Sequence, residues 1–163
     1  MIKNGKDLVP IAGGGICQVA TTVYRAALNA GLPVTERASH SLYVSYYEKY
    51  GVGIDATIFP HSQDLTFVND TGNYLLVQAY SREFEAAVHV YGHSDGRAVT
   101  LRGPYFSTSA SSVMEQLQRT LRNNEIAWLQ TVRSVDGSEA TNVIFSRYLE
   151  IPRRLRSEYA MAN

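Results

Sequence analysis

Three consecutive glycines, Gly13-Gly14-Gly15, run straight into a segment whose apolar residues recur at three- and four-residue spacing. Ile16, Val19, Val23, Ala27 and Ala30 mark one helical face, and Cys17, Ala20, Tyr24 and Leu28 mark the stripe beside it. A helix over residues 16–30 is expected, with both stripes facing other protein. Gly31 supplies its C-terminal cap and Pro33 prevents it from resuming. After Gly31 the pattern changes. Residues 42–47, 54–59 and 65–69 are rich in aromatic and β-branched side chains and read as strands.

The turn cluster Asn69-Asp70-Thr71-Gly72-Asn73 lies between two apolar runs, which predicts a hairpin of residues 65–68 with 74–80. Residues 84–91 alternate and add a further strand. Ser94-Asp95-Gly96 marks the next turn and the best internal boundary. Beyond it, residues 99–105 read as a strand, 112–121 as a helix, and 128–132 with 143–149 as a hairpin around Asp136-Gly137. The fold class is α+β: one early buried helix packed on a mostly antiparallel β-sheet, plus a C-terminal helix and hairpin.

At 163 residues the chain has the size of one domain and can bury a core without disulfides or metals. Fifteen basic residues balance fifteen acidic ones, so no net field draws in nucleic acid or an anionic membrane. The short run Arg153-Arg154-Leu155-Arg156 reads as a solvated tail. With a single cysteine no intrachain disulfide can form, which leaves the redox compartment open. Residues 1–10 carry Lys3, Lys6 and Asp7 and do not read as a signal peptide, and no apolar run reaches membrane-spanning length. Neither localisation nor oligomeric state follows from the composition.

Glycines ahead of a helix invite a phosphate, because free N–H groups and the helix dipole favour an anion. Here the third glycine of a dinucleotide fingerprint is missing and no Gly-Lys-Ser/Thr follows, so no nucleotide cofactor is expected. The same field acts on Cys17. A thiolate in the first turn of a helix is stabilised, and neighbouring glycines leave room for a substrate. Gln18 and the Cys17 backbone N–H are placed to donate to an oxyanion. The plain alternative is a small buried hydrophobe, which is what most free cysteines are.

A nucleophilic cysteine needs a base, and the base an orienting partner. Of the four histidines, His40 in Ser39-His40-Ser41 stands directly ahead of the strand expected at 42–47, and Asp55 opens the next one. Cys17, His40 and Asp55 are therefore the catalytic candidates, with Gln18 beside them. The alternatives are a strand-edge histidine and a turn-capping aspartate. His61 reads as loop, and His89 lies on the polar phase of its strand. No metal is expected, since the spacing of Cys17, His40 and Asp55 matches no compact zinc pattern.

Val9-Pro10, Gly13-Gly14-Gly15-Ile16-Cys17-Gln18-Val19, Thr21-Thr22-Val23-Tyr24, Ala26-Ala27-Leu28, Ala30-Gly31-Leu32, Glu36-Arg37, His40-Ser41 and Val44-Ser45-Tyr46 closely resemble the VanW family signature. Asp55-Ala56-Thr57, Asn69-Asp70-Thr71 and Val90-Tyr91-Gly92 continue it. The resemblance implies one VanW-like domain, with a core over 1–92 and a C-terminal extension over 98–163 that includes Ser146-Arg147-Tyr148. Relative to the family, the segment ahead of the glycine loop is nearly absent. The family is named from glycopeptide-resistance gene clusters, which implies a cell-envelope context and no particular reaction.

A fainter similarity bears on mechanism. A helix-start cysteine, a helix ending in Ala30-Gly31-Leu32-Pro33, then Arg37, His40 and Asp55-Ala56-Thr57 is similar in order to transglutaminase-like and papain-like cores. That likeness implies Cys17 as nucleophile, His40 as base and Asp55 as orienter.

Two functions follow. One is a cysteine-dependent hydrolase or acyl transferase acting on a peptidoglycan stem peptide or crosslink, with Gly13, Gly14, Gly15, Arg37 and Tyr46 as substrate-binding candidates. The other is a binding module for an envelope glycan or peptide, in which Tyr43, Tyr46, Tyr47 and Tyr50 give contact area with polar tips. A structural domain of a larger envelope protein is the blander possibility.

Overall fold

The structure, a computed structural model, describes residues 2–4, 7–9, 14–83 and 85–155. Gly13, Phe84 and Arg156 of the sequence reading lie outside these. Strands β1 (Ile2–Asn4) and β2 (Asp7–Val9) pair antiparallel. Helix α1 (Ile16–Asn29) follows the glycines. It ends as expected at Gly31: the Leu32 N–H donates to Ala27 O at 3.0 Å and the Gly31 N–H to Leu28 O at 3.1 Å, closing the last carbonyls in a Schellman arrangement.

Strand β3 (Val34–Glu36) pairs antiparallel with β4 (Thr66–Phe67), and β5 (Leu75–Arg82) forms a hairpin with β6 (Glu85–Gly92). Then come β7 (Ala98–Tyr105), a short helix α2 (Met114–Leu117) continuing a 3-10 turn at Ala110–Val113, β8 (Glu125–Arg133) and β9 (Glu139–Arg147). The last three strands form one antiparallel sheet in the order β7-β8-β9. The described residues therefore form an α+β fold with one early helix and antiparallel sheets.

Ala20, Tyr24 and Leu28 of α1 pack with Ile54 and Ala56 against Leu101, Trp128 and Ile144 of the three-stranded sheet. Central β8 is the most enclosed strand: Ile126, Ala127 and Leu129 expose nothing measurable. Gly53 makes the close approach possible. It has a φ of +82°, and a Cβ there would sit 2.7 Å from an Ile126 methyl.

Several expectations are corrected. The stripe of Ala20, Tyr24 and Leu28 is buried, but the other is buried only at Ala27; Ile16 and Val19, at the start of the helix, are half exposed. Residues 42–47 are not a strand. They lead into a 3-10 helix at Ser45–Tyr50. Arg25 of α1 donates to the carbonyls of Tyr47, Gly51 and Ile54 at 2.7–3.0 Å, and gathering three carbonyls round one guanidinium needs a tight turn. Here a tertiary contact overrides β propensity.

Residues 54–59 are extended but join their neighbours only through isolated bridges, Ala38 with Thr57 and Phe59 with Gln63. The hairpin of 65–68 with 74–80 does not form. The Asn69–Asn73 turn closes on itself, with Asn69 Nδ2 donating to Asn73 O at 2.7 Å, while β4 pairs back to β3 and β5 goes on to β6. The helix expected over 112–121 shrinks to α2 with its preceding 3-10 turn. The C-terminal hairpin forms as β8–β9.

Candidate active site

Gly15 sits just ahead of α1 with φ +97°, a left-handed conformation that glycine adopts at low cost; among the described residues no side chain caps the helix, and a Cβ there would meet nothing within 4 Å. Cys17, the second residue of the helix, is half-buried. One turn on, Thr21 fastens α1 to the extended segment opposite: its hydroxyl donates to Ala56 O at 3.0 Å and accepts the Ala56 N–H at 3.1 Å. Cys17 lies on the same helical face, so its Sγ meets the next residues of that segment. Thr57 Oγ1 is 3.4 Å away and Ile58 O 3.6 Å.

The bridge between Ala38 and Thr57 sets an antiparallel register, and two residues along that register His40 stands opposite Asp55. Asp55 Oδ2 accepts the His40 backbone N–H at 2.8 Å and lies 2.6 Å from His40 Nδ1. Asp55 Oδ1 accepts from the Tyr148 hydroxyl and from Arg37 Nη2, the latter at 3.4 Å. With Nδ1 engaged by the carboxylate, Nε2 is the ring nitrogen left for the thiol. Cys17 and His40 interact, each shifting the titration of the other.

The electrostatics follow from these contacts. Burial would raise the Cys17 thiol, but its interactions with Thr57, the Ile58 backbone and His40 outweigh that and bring the pKa below the ordinary value. Burial would lower His40, yet the Asp55 hydrogen bond and charge, with a smaller effect from Cys17, raise it. Asp55 is held below the usual carboxylate range against its own burial by His40, Arg37 and Tyr148. The two shifts run in opposite senses, the thiol downward and the imidazole upward.

Of the sequence candidates, His40 and Asp55 are in direct contact, and Cys17 meets Thr57, two residues beyond Asp55. Gln18 is solvent-exposed beside the thiol, as are Gly14 and Gly15. Tyr46 is 67% exposed, its ring 4.5 Å from that of buried Tyr47, which in turn lies 5.6 Å from the His40 ring. Arg37 turns inward: Nε donates to Asp55 O at 2.5 Å, Nη1 to Phe145 O at 2.9 Å and Nη2 to Ser146 Oγ at 2.8 Å. Its guanidinium braces Asp55 from behind. Among the described residues no group of three His, Cys, Asp or Glu side chains is placed to hold a metal ion.

Sequence reasoning gave no role to Thr57, Thr21 or Tyr148. Thr57 was accessible, since in an extended segment it shares a side with Asp55, two residues earlier. Tyr148 was not, because 93 residues separate it from Asp55.

Residues 1–91 match the family model described as VanW like protein. The chain belongs to the VanW family. All three members of the Cys17–His40–Asp55 set fall inside the matched segment, whereas β7, β8, β9 and Tyr148 fall outside it. The uncharacterized protein YoaR of Bacillus subtilis (strain 168) is 39% identical over 67 residues, which is 41% of this VanW-family chain and 21% of that relative. This chain thus matches about a fifth of the relative's length. No solved structure matches the chain. Among the described residues no helix is long and apolar enough to cross a membrane.

Proposed function

We propose that this VanW-family domain is a cysteine-dependent amide hydrolase or acyl transferase acting on a cell-envelope peptide, with a core working in the manner of transglutaminase-like and papain-like enzymes. The observation that carries the reading is the His40 ring held at Nδ1 by Asp55 while the ring interacts with a helix-start thiol. The Cys17 thiolate attacks an amide carbonyl carbon, forming a C–S bond as the π electrons move to oxygen. Backbone N–H groups at the start of α1, with Gln18, are the donors for that oxyanion. Collapse breaks the C–N bond, and the imidazolium of His40 delivers its proton to the leaving amine. Water, or an acceptor amine, then takes the acyl group from sulfur, with His40 removing its proton. Family membership points to the cell envelope, so a peptidoglycan stem peptide or crosslink is the proposed substrate, met at Cys17 with Gly14, Gly15 and Tyr46 as the candidate contacts.

The test is trapping. Incubation of the folded protein with stem peptides should give an acyl adduct on Cys17, seen by mass spectrometry and absent in Cys17→Ser. A thiol that reacts with iodoacetamide only after unfolding overturns the reading.

One observation favours a second reading, a glycan-binding module. Tyr80, His89 and Tyr91 lie on one face of the β5–β6 hairpin, exposed, with His89 Nδ1 3.0 Å from the Tyr91 hydroxyl and the Tyr80 and His89 rings 5.1 Å apart. Linked rings with polar tips suit stacking on a sugar face. Loss of cell-wall pull-down in Tyr80→Ala/Tyr91→Ala, with Cys17→Ser binding normally, would select this reading.

A further inference from the structure

We infer that Tyr148, at the end of β9 and beyond the family-matched segment, is a positioning residue that aims Asp55 at His40. The inference rests on the proposed thiol–imidazole–carboxylate reading and extends the site into the C-terminal sheet. Asp55 has one oxygen for each side of the site. Oδ2 takes both His40 donors, and Oδ1 takes the Tyr148 hydroxyl and a longer contact from Arg37. A carboxylate filled in this way cannot turn about its Cβ–Cγ bond. Tyr148 is 3% exposed and packs edge-on against Tyr43 at 5.3 Å, so its hydroxyl is fixed before Asp55 meets it.

The same strand end also holds the loop that carries His40. Ser39 Oγ donates to Arg147 O and accepts the Arg147 N–H, both at 3.3 Å, and the Leu149 N–H donates to Ser41 O at 2.7 Å. The residues before and after His40 are thus tied to the residues before and after Tyr148. The peptide chain and the side chain converge on one register, in which the hydroxyl reaches Oδ1 while Oδ2 faces the imidazole.

Without the hydroxyl, Oδ1 keeps only Arg37, and the carboxylate is free to swing toward that guanidinium and away from Nδ1. The charged and titratable groups around Asp55 are Arg25, Arg37, His40, Tyr24 and Tyr148; around the thiol they are His40 and Tyr47. The Asp55–His40 contact leads from Tyr148 toward the sulfur, so the thiol is the readout.

The experiment is iodoacetamide labelling of Cys17 across pH in the wild type, Tyr148→Phe, Asp55→Asn, the double variant and His40→Ala. Tyr148→Phe should raise the apparent thiol pKa and slow labelling near neutral pH by roughly threefold or more, with the same circular dichroism spectrum. In the Asp55→Asn background the same substitution should add nothing, since a residue acting through Asp55 has no route left. A wild-type labelling profile in Tyr148→Phe, or an equal further loss in the Asp55→Asn background, overturns the inference while leaving the His40 reading standing. A wild-type profile in His40→Ala overturns both. Should Tyr148→Phe unfold, Tyr148→His, which keeps a ring and a donor, must label as the wild type does; failure of that variant to recover the profile also overturns the inference.

Discussion

His40 Nδ1 stands 2.6 Å from Asp55 Oδ2, and the same oxygen accepts the His40 backbone N–H at 2.8 Å. One carboxylate oxygen thus holds both the ring and the peptide that carries it. The ring's place and its tautomer are set together, with the proton on Nδ1 and Nε2 directed elsewhere.

Replacing His40 by alanine should raise the Cys17 pKa. The imidazole is one of the groups that lower the wild-type thiol below its ordinary value. Loss of the ring removes that interaction from beside the thiolate, and the midpoint should rise. Labelling rate against pH, referenced to a simple thiol, measures it. An unchanged midpoint would remove His40 from the mechanism.

Thr57→Val keeps the shape and removes the hydroxyl 3.4 Å from the sulfur. The thiolate loses a donor, so the midpoint should move upward, with labelling slowed a few-fold near neutral pH, roughly the effect of one hydrogen bond to a charged group. Retention of the wild-type curve would make that contact incidental.

The Asp55–His40 pair gives stability a defined pH window. Asp55 is depressed in the folded state, so its contribution is present above its unfolded value of about 3.9 and is lost as pH falls through the folded one. His40 is raised, so its contribution is complete below about 6.5 and is lost as pH rises through its folded value. The deficit of Asp55→Asn relative to the wild type should therefore be largest between about pH 4 and 6.5, at about 2–3 kcal/mol. Urea denaturation at pH 3, 5.5 and 9 reads it. A deficit constant across those values would show that the pair does not titrate with folding.

Glu125 offers an acid-stability test far from the thiol. Its side chain is 1% exposed, yet Arg119 Nη1 at 2.7 Å and Arg147 Nη2 at 2.6 Å, with the Arg122 N–H, bring its pKa down to about 2 despite the burial. The stabilisation is present above the unfolded carboxylate value and fades as pH falls toward 2. Glu125→Gln should cost about 1–3 kcal/mol at pH 7, and the cost should disappear in strong acid. Equal midpoints for variant and wild type at pH 7 would show that these arginines contribute nothing to stability.

Gly53→Ala tests the close approach of the Asp55 segment to β8. The added Cβ would lie 2.7 Å from an Ile126 methyl, at a φ that L residues avoid. A loss of about 1–3 kcal/mol in thermal or chemical unfolding is expected. Wild-type stability would mean that the segment and β8 separate easily, which would also loosen Asp55.

Local chemistry made part of this legible in the sequence. The glycines, the 3.6-residue period and the Gly31 stop defined α1 because caps and periodicity act within a few residues. The Asp136-Gly137 turn defined β8–β9 for the same reason. The order of Cys17, His40 and Asp55 named three candidates, of which the fold sets His40 directly against Asp55. Their geometry was decided elsewhere. Residues 42–47 have strand chemistry, but Arg25 draws the following carbonyls into a turn. Residues 65–68 and 74–80 have hairpin chemistry, but each finds a different partner. Ile16 and Val19 match the helical period as well as Ala20 and Tyr24 do, and only the position of the sheet settles which stripe is buried. Tyr148 reaches Asp55 across 93 residues. Such a pairing leaves no periodic trace, because strand register and side-chain direction at that distance are set by packing of the whole core.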